Sequence, residues 1–233
     1  GAAPVRSRLN PLFPVTIAEW RDELLQCNEQ FGNPTGYWCY VRPGGYVIGG
    51  WEPGDPVETL TLPGFWIAKY PITVQQYRQF MQAGGYTTER YWTPNGWQWR
   101  KSRNCTQPYL WKHKDWKHLN SADNQPAVSI TWYEATAFAA WVNTELAGSL
   151  PAGSRVRLPT EAEWEAAAAV DGAGKRRTYP WGKQKPDTQR ADFGKHHKAA
   201  SPAAVGEWSA GAAAFRAQDM TGRVWEAWSR RHA

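Results

Sequence analysis

The sequence predicts an α+β domain with much irregular coil, and three observations lead there. Four threonines each open a helix with the same capping grammar, at Thr16, Thr73, Thr131 and Thr160. Short β-branched and aromatic runs bounded by Gly and Pro lie between the helices, over 37–48 and 60–70. The remaining segments, 83–125 and 171–206, are long, rich in Gly and Pro, and studded with tryptophan.

Each helix start follows from local hydrogen bonding. In Thr16-Ile-Ala-Glu19 the threonine oxygen accepts from the third amide and the glutamate reaches back, satisfying two donors that a helix end leaves orphaned. This helix is expected to run to about Gln30, ahead of Gly32 and Pro34. Thr73-Val-Gln-Gln76 repeats the device, with Tyr77, Phe80 and Met81 at helical spacing and Gly84-Gly85 as the stop. Thr131-Trp-Tyr-Glu134 opens a helix striped by Ala135, Phe138, Ala139, Val142 and Leu146. Thr160-Glu-Ala-Glu163 opens a shorter one that carries Trp164 on the face of Ala167 and Ala168. For the strands, Tyr37–Val41 and Tyr46–Ile48 read as a hairpin turned at Pro43-Gly-Gly45. A second strand region runs from Leu60 to Tyr70, interrupted at Pro63-Gly64. Loops as long as the remaining segments need anchors, which Trp92, Trp97, Trp99, Trp111, Trp116 and Trp181 can supply.

Composition bounds the function classes. At 233 residues the chain can bury a substantial core, and organisation into a helical extension over 1–36 and one domain over 37–233 is expected. Mean hydropathy is -0.67 despite 42% hydrophobic residues, because tryptophan with polar neighbours replaces aliphatic runs. No stretch approaches the roughly 20 apolar residues of a membrane helix, and no signal segment opens the chain, so a soluble, cytoplasmic protein without membrane insertion is expected. Cys27, Cys39 and Cys105 form no CxxC and no metal-ligand spacing. The sparse, odd count fits free thiols and also leaves one disulfide open, in the upstream pair. The net charge of +6 permits an acidic partner without specifying one.

Three signatures follow one another near the carboxyl end: Arg157-Leu-Pro-Thr-Glu-Ala-Glu-Trp164, Tyr179-Pro-Trp-Gly182 and Asp219-Met-Thr-Gly-Arg-Val-Trp-Glu226. Upstream stand Phe65-Trp-Ile-Ala-Lys-Tyr-Pro-Ile-Thr73, Gly84-Gly-Tyr with Tyr91-Trp-Thr-Pro, and Asn124-Gln-Pro-Ala-Val-Ser-Ile-Thr-Trp-Tyr-Glu-Ala135. In this order the set resembles the formylglycine-generating-enzyme (sulfatase-modifying-factor) family, a branch of the C-type lectin fold. The resemblance implies two main helices on a twisted mixed sheet.

It also implies what to look for chemically. Family enzymes oxidise a substrate cysteine with a copper-binding cysteine pair near an Arg-Gly-Gly-Ser-Trp motif, beyond the point where this chain stops. Here the last cysteine is Cys105, and other side chains do not replace a thiolate pair as a soft copper(I) ligand, so no copper is expected. Sulfoxide synthases of the ergothioneine type share the fold and need an iron-binding histidine set, which His113, His118, His196, His197 and His232 do not form. The expectation is therefore a non-enzymatic ligand-binding or display scaffold like the variable proteins of diversity-generating retroelements, cut short at its carboxyl end. The alternative is a copper-dependent formylglycine-generating cysteine oxidase lacking its catalytic segment.

Candidate site residues follow from the same reading. The family's calcium position maps onto Asp219, the carbonyls of Gly222 and Val224, and Glu226. Calcium takes 6–8 hard oxygen ligands, which two carboxylates, carbonyls and waters can provide. The structural alternative is a turn capped by Asp219 and a buried ion pair at Glu226. A second calcium position, at Asp192 and the Phe193 carbonyl, lacks an aspartate where Gly194-Lys-His-His-Lys198 stands. Trp97, Trp99, Trp111 and Trp228 are candidate ligand-binding residues for an unknown protein or other macromolecule, with a glycan as a further possibility. The basic and aromatic residues of 97–118 invite single-stranded nucleic acid, but no nucleic-acid module is present and solvated lysines around buried tryptophans explain them better. The Glu161, Glu163 and Glu165 run reads as a first-turn acidic cluster favoured by the helix dipole.

Overall fold

The computed structural model describes residues 37–115, 117–193, 201–222, 224 and 226–229, so the expected helix over 16–30 and its extension lie outside the described residues. The described residues gather into two compact units, one from 71–158 with 201–205 and one from 37–70, 159–193 and 206–229. The architecture is mixed α and β, with helices and small sheets.

The strand-bearing unit is built on one long, broken hairpin. Strands β1 (Trp38–Val41), β2 (Gly44–Gly49), β3 (Val57–Leu62) and β4 (Phe65–Ala68) form two antiparallel ladders, β1 with β4 and β2 with β3. This corrects the expected hairpin between 37–41 and 46–48, since those two strands do not pair. The reason is visible in the register. Val41 faces Phe65 and Gly44 faces Leu62, so the same alignment runs through the gap and sets Pro43 opposite Pro63. Neither proline has an N–H to give, and the ladder breaks where they meet. Gly44 and Gly45 are absent from the positive-φ glycines, so Pro43-Gly-Gly45 is no tight turn; the reversal comes at 50–56, entered through Gly49 at φ 87° and Gly50 at φ 68°. Glu52 N–H there donates to Asp55 Oδ2 at 3.0 Å.

Against this ribbon lies α4 (Glu161–Ala169), capped by Thr160 and Glu163 as the sequence predicts. Its Ala162, Ala166, Ala167, Ala168 and Ala169 are buried with Cys39, Val41, Tyr46, Ile48, Phe215 and Met220 in one core. Alanine has no side chain beyond Cβ, which lets helix and strand approach closely. The approach is tied down by Glu165, whose carboxylate accepts from Gly49 N–H at 2.9 Å. The run of three glutamates thus divides its labour: Glu163 closes the capping box and Glu165 holds the hairpin end. Where the expected mixed sheet needs parallel pairing, the described residues show one isolated parallel bridge, Thr160 with Ser229. Ser229 N–H donates to the Pro159 carbonyl at 2.9 Å, and Pro159 cannot donate in return.

The other unit holds α1 (Val74–Gln82), α2 (Pro94–Ser102) and α3 (Trp132–Glu145). The capping boxes at Thr73 and Thr131 are both formed. Helix α2 lies within a segment expected to be irregular. Its start signal was available, since Thr93 caps Gly96 N–H at 3.1 Å and Pro94 takes the first helical position, where its missing N–H costs nothing. Tyr77, Phe80, Phe138 and Trp141 form the aromatic centre of this core, with Phe80 at 0% exposure. Cys39 and Cys105 are free thiols, and no described helix is long and apolar enough to cross a membrane.

Candidate functional site

In the strand-bearing unit, the described residues of the third signature carry two carboxylates, Asp219 and Glu226. Asp219 sits in the left-handed region at φ 59°, which aspartate tolerates better than most residues. Its Oδ2 accepts from Gly206 N–H at 2.6 Å, and the preceding Gln218 N–H donates to the Lys69 carbonyl at 2.7 Å. Gly222, at φ 89°, is required by contact as well as by conformation. A Cβ there would stand 2.4 Å from the Asp192 carbonyl oxygen, so no other residue fits without displacing the main chain.

Glu226 is the second of these carboxylates. Its Oε2 accepts from the indole N–H of Trp164 on α4, whose ring lies 6.0 Å from that of Trp228. The residue keeps some exposure, yet its carboxyl group is withdrawn from water. Desolvation pushes its pKa up from 4.5 to about 7, the Trp164 hydrogen bond opposes the rise, and the charge of Asp219 adds to it. Two like charges are therefore held within electrostatic reach of each other, an arrangement that a bound cation would relieve. Among the described residues no three His, Cys, Asp or Glu side chains gather to hold a metal ion. A cation here would draw on main-chain carbonyls as well as on Asp219 and Glu226.

The four candidate tryptophans are engaged within the protein. Trp97 lies under Arg100 and Lys101 at 5.2 and 5.9 Å, and Trp99 is set between Trp92 and Tyr133. Trp111 donates to the Val128 carbonyl at 3.0 Å and forms one wall of a cleft of ≈ 620 Å³ with Arg78, Met81 and His118. Trp228 belongs to the other unit, against Trp164. His113 lies beside Asp115, while His196, His197 and His232 are outside the described residues. Reading the sequence alone did not pair Trp164 with Glu226, although each ends one of the three signatures.

The chain matches the sulfatase-modifying factor enzyme 1-like domain over residues 26–232. It belongs to that family. It is 37% identical over 177 residues to hercynine oxygenase of Mycolicibacterium smegmatis, covering 73% of this chain and 38% of that protein. Identity to hercynine oxygenase of Mycobacterium tuberculosis is also 37%, over 73% of this chain and 39% of the relative. Formylglycine-generating enzyme of Thermomonospora curvata is 31% identical, over 61% of this chain and 51% of the relative. The chain thus spans about two-fifths of the hercynine oxygenases it matches.

These relatives are enzymes, and they overturn the expectation of a non-enzymatic display scaffold. That expectation rested on a missing copper-binding thiolate pair and a missing histidine set. Both tests assume that one chain contains all of the chemistry, whereas this sulfatase-modifying factor domain matches only part of each relative.

Proposed function

We propose that this chain is the sulfatase-modifying factor domain of an oxygenase acting on hercynine or a close chemical relative of it. The observation that carries this reading is the 37% identity to hercynine oxygenases over 73% of the chain. The described residues do not supply the iron-binding histidine set of fold-sharing sulfoxide synthases, so no step is assigned to iron through them. The test is to express the complete coding region, supply hercynine, a thiol donor and added iron(II) under ¹⁸O₂, and follow products by mass spectrometry. Incorporation of ¹⁸O into a hercynine-derived product supports the reading. Untouched hercynine alongside conversion of a cysteine peptide to formylglycine would replace it with the second reading, which the 31% identity to formylglycine-generating enzyme favours.

The fold is proposed to be the C-type lectin variant of this family, and the Asp219–Glu226 signature its calcium position. Asp219 and Glu226 would contribute carboxylate oxygens, and Gly222 and Val224 carbonyls, to a hard cation. The coupled charges of Asp219 and Glu226 and the turn at Gly222 support this assignment. Calcium would anchor that signature on α4 through Glu226 and Trp164. EDTA should lower the melting temperature of the wild type and leave that of Asp219→Ala unchanged; equal responses of the two proteins to EDTA sink the assignment.

A further inference from the structure

The helical unit contains a buried tyrosine arranged for chemistry that a packing role does not require. Tyr86 is 3% exposed, and its hydroxyl donates to Glu134 Oε1 at 2.5 Å. Glu134 is 1% exposed, and its Oε2 accepts from the Thr131 N–H at 2.9 Å and the Thr131 hydroxyl at 2.7 Å. Both carboxyl oxygens of Glu134 therefore act as acceptors, Oε1 for the phenol and Oε2 for Thr131. Because the one proton of Tyr86 is directed at Glu134, the Tyr77 hydroxyl, 3.0 Å away, donates to the Tyr86 oxygen. Burial raises the Tyr86 pKa far above its ordinary 10.0, and electrostatic coupling to Tyr77 and Glu134 adds to the rise. The phenol therefore stays neutral at any physiological pH, with a proton acceptor already in place.

A row of oxidisable rings connects this phenol to the surface. Trp92 stands 5.5 Å from Tyr86, Trp99 6.5 Å from Trp92, Tyr133 5.7 Å from Trp99, and Trp132 5.7 Å from Tyr133. Trp132 is 45% exposed. Tryptophan and tyrosine are the most readily oxidised aromatic side chains, and each ring here is in near-contact with the next. Phenylalanines fill much of the neighbouring core, at Phe80 and Phe138, but none interrupts the row.

We propose that Tyr86 is a redox-active tyrosine, wired to the surface through Trp92, Trp99, Tyr133 and Trp132, with Glu134 as its proton acceptor. An outer-sphere one-electron oxidant takes one electron at Trp132, and the resulting hole passes inward by successive single-electron transfers. Tyr86 supplies the final electron while its O–H bond breaks and an O–H bond forms on Glu134 Oε1. The products are the one-electron-reduced oxidant, a neutral tyrosyl radical and a protonated Glu134; no atom leaves the protein. The inference does not depend on the oxygenase reading.

The test uses the full chain carrying Tyr109→Phe and Trp51→Phe, which removes two other exposed rings. Tris(bipyridine)ruthenium(III), generated by flash photolysis with a sacrificial quencher, serves as an oxidant too bulky and charged to reach a buried phenol. Freeze-quench electron paramagnetic resonance should show a tyrosyl radical that disappears in Tyr86→Phe. Its yield should fall at least tenfold in Trp99→Phe and Trp132→Phe, and its formation should slow in deuterium oxide. Trp132→Phe alters an exposed position outside the hydrogen-bond network, so it serves even if Tyr86→Phe does not fold. A tyrosyl signal that persists in Tyr86→Phe, or a yield unaffected by Trp132→Phe, overturns the proposal.

Discussion

The two units bury their apolar side chains by different means. In the helical unit the core is aromatic, with Phe80 in ring contact with Tyr77, Tyr86, Tyr91, Phe138 and Trp141. In the strand-bearing unit the helix contributes five buried alanines to a core whose buried rings are Tyr46 and Phe215. Large rings interlock and are costly to remove, whereas a small-residue helix sits close to its strands and leaves no room to add volume. Two carboxylates, one from each unit, differ as well. Glu134 is surrounded by donors from Thr131 and Tyr86, while Glu226 has the Trp164 indole for a donor and Asp219 for a like-charged neighbour. One carboxylate is held by several donors; the other is pushed toward its neutral form by desolvation.

Deleting a central ring is the harshest way to test this contrast. Phe80→Ala removes a fully buried ring, and Gly85 packs so tightly against Phe80 that a Cβ there would lie 2.3 Å from the ring. The expected loss is about 3–5 kcal/mol, read from urea denaturation. In the other unit the damaging change is the opposite one. Ala167→Leu adds volume at a position of 0% exposure and should cost about 1–3 kcal/mol, while Ala167→Gly should cost about 1 kcal/mol through helix propensity. A larger loss for the glycine variant than for the leucine variant would refute the close-approach account of α4.

What the sequence made legible divides along physical lines. Capping boxes are local, four-residue devices, and those at Thr73, Thr131 and Thr160 form as predicted. Pairing of strands is not local. The Pro43-Gly-Gly45 step looks like a turn in isolation, and only the long-range placement of Pro63 opposite Pro43 shows it to be a break in one hairpin. Helix α2 was hidden because its apolar residues are tryptophans that pack individually instead of forming a stripe. At the candidate site, Asp219, Gly222 and Glu226 were legible as a signature, but the withdrawal of Glu226 from water depends on Trp164, sixty-two positions away. The expectation of a non-enzymatic scaffold failed because absence of ligands in one segment was taken as absence of chemistry, whereas the relatives of this chain are enzymes.

The contrast between the carboxylates predicts a pH dependence that belongs to the strand-bearing unit. Glu226 has a folded-state pKa of about 7, above its ordinary 4.5, so the folded state holds its proton more tightly than the unfolded state does. The stabilisation is complete below about pH 4.5 and is lost as pH rises to about 7. In calcium-free buffer the urea midpoint should therefore decline across that window, and Glu226→Gln should remove this decline. Solvent reaching the partly exposed residue keeps the effect below the packing losses. A midpoint that declines equally in Glu226→Gln assigns the titration elsewhere.

The finest comparison is between two capping threonines with the same local role. Thr160 accepts from Glu163 N–H at 3.2 Å, and Thr131 accepts from Glu134 N–H at 3.3 Å, so losing either cap should cost about 1 kcal/mol. Thr131 does more, because its hydroxyl also donates to Glu134 Oε2 at 2.7 Å. Thr131→Ala thus removes a donor from a buried carboxylate as well as a helix cap, and should exceed Thr160→Ala by up to about 1 kcal/mol in paired urea titrations. Thr131→Ser keeps both hydrogen bonds and should restore most of the difference. Equal losses for the two alanine variants would mean that Tyr86 and the backbone amide suffice to hold Glu134, leaving the hydroxyl with no role beyond the cap.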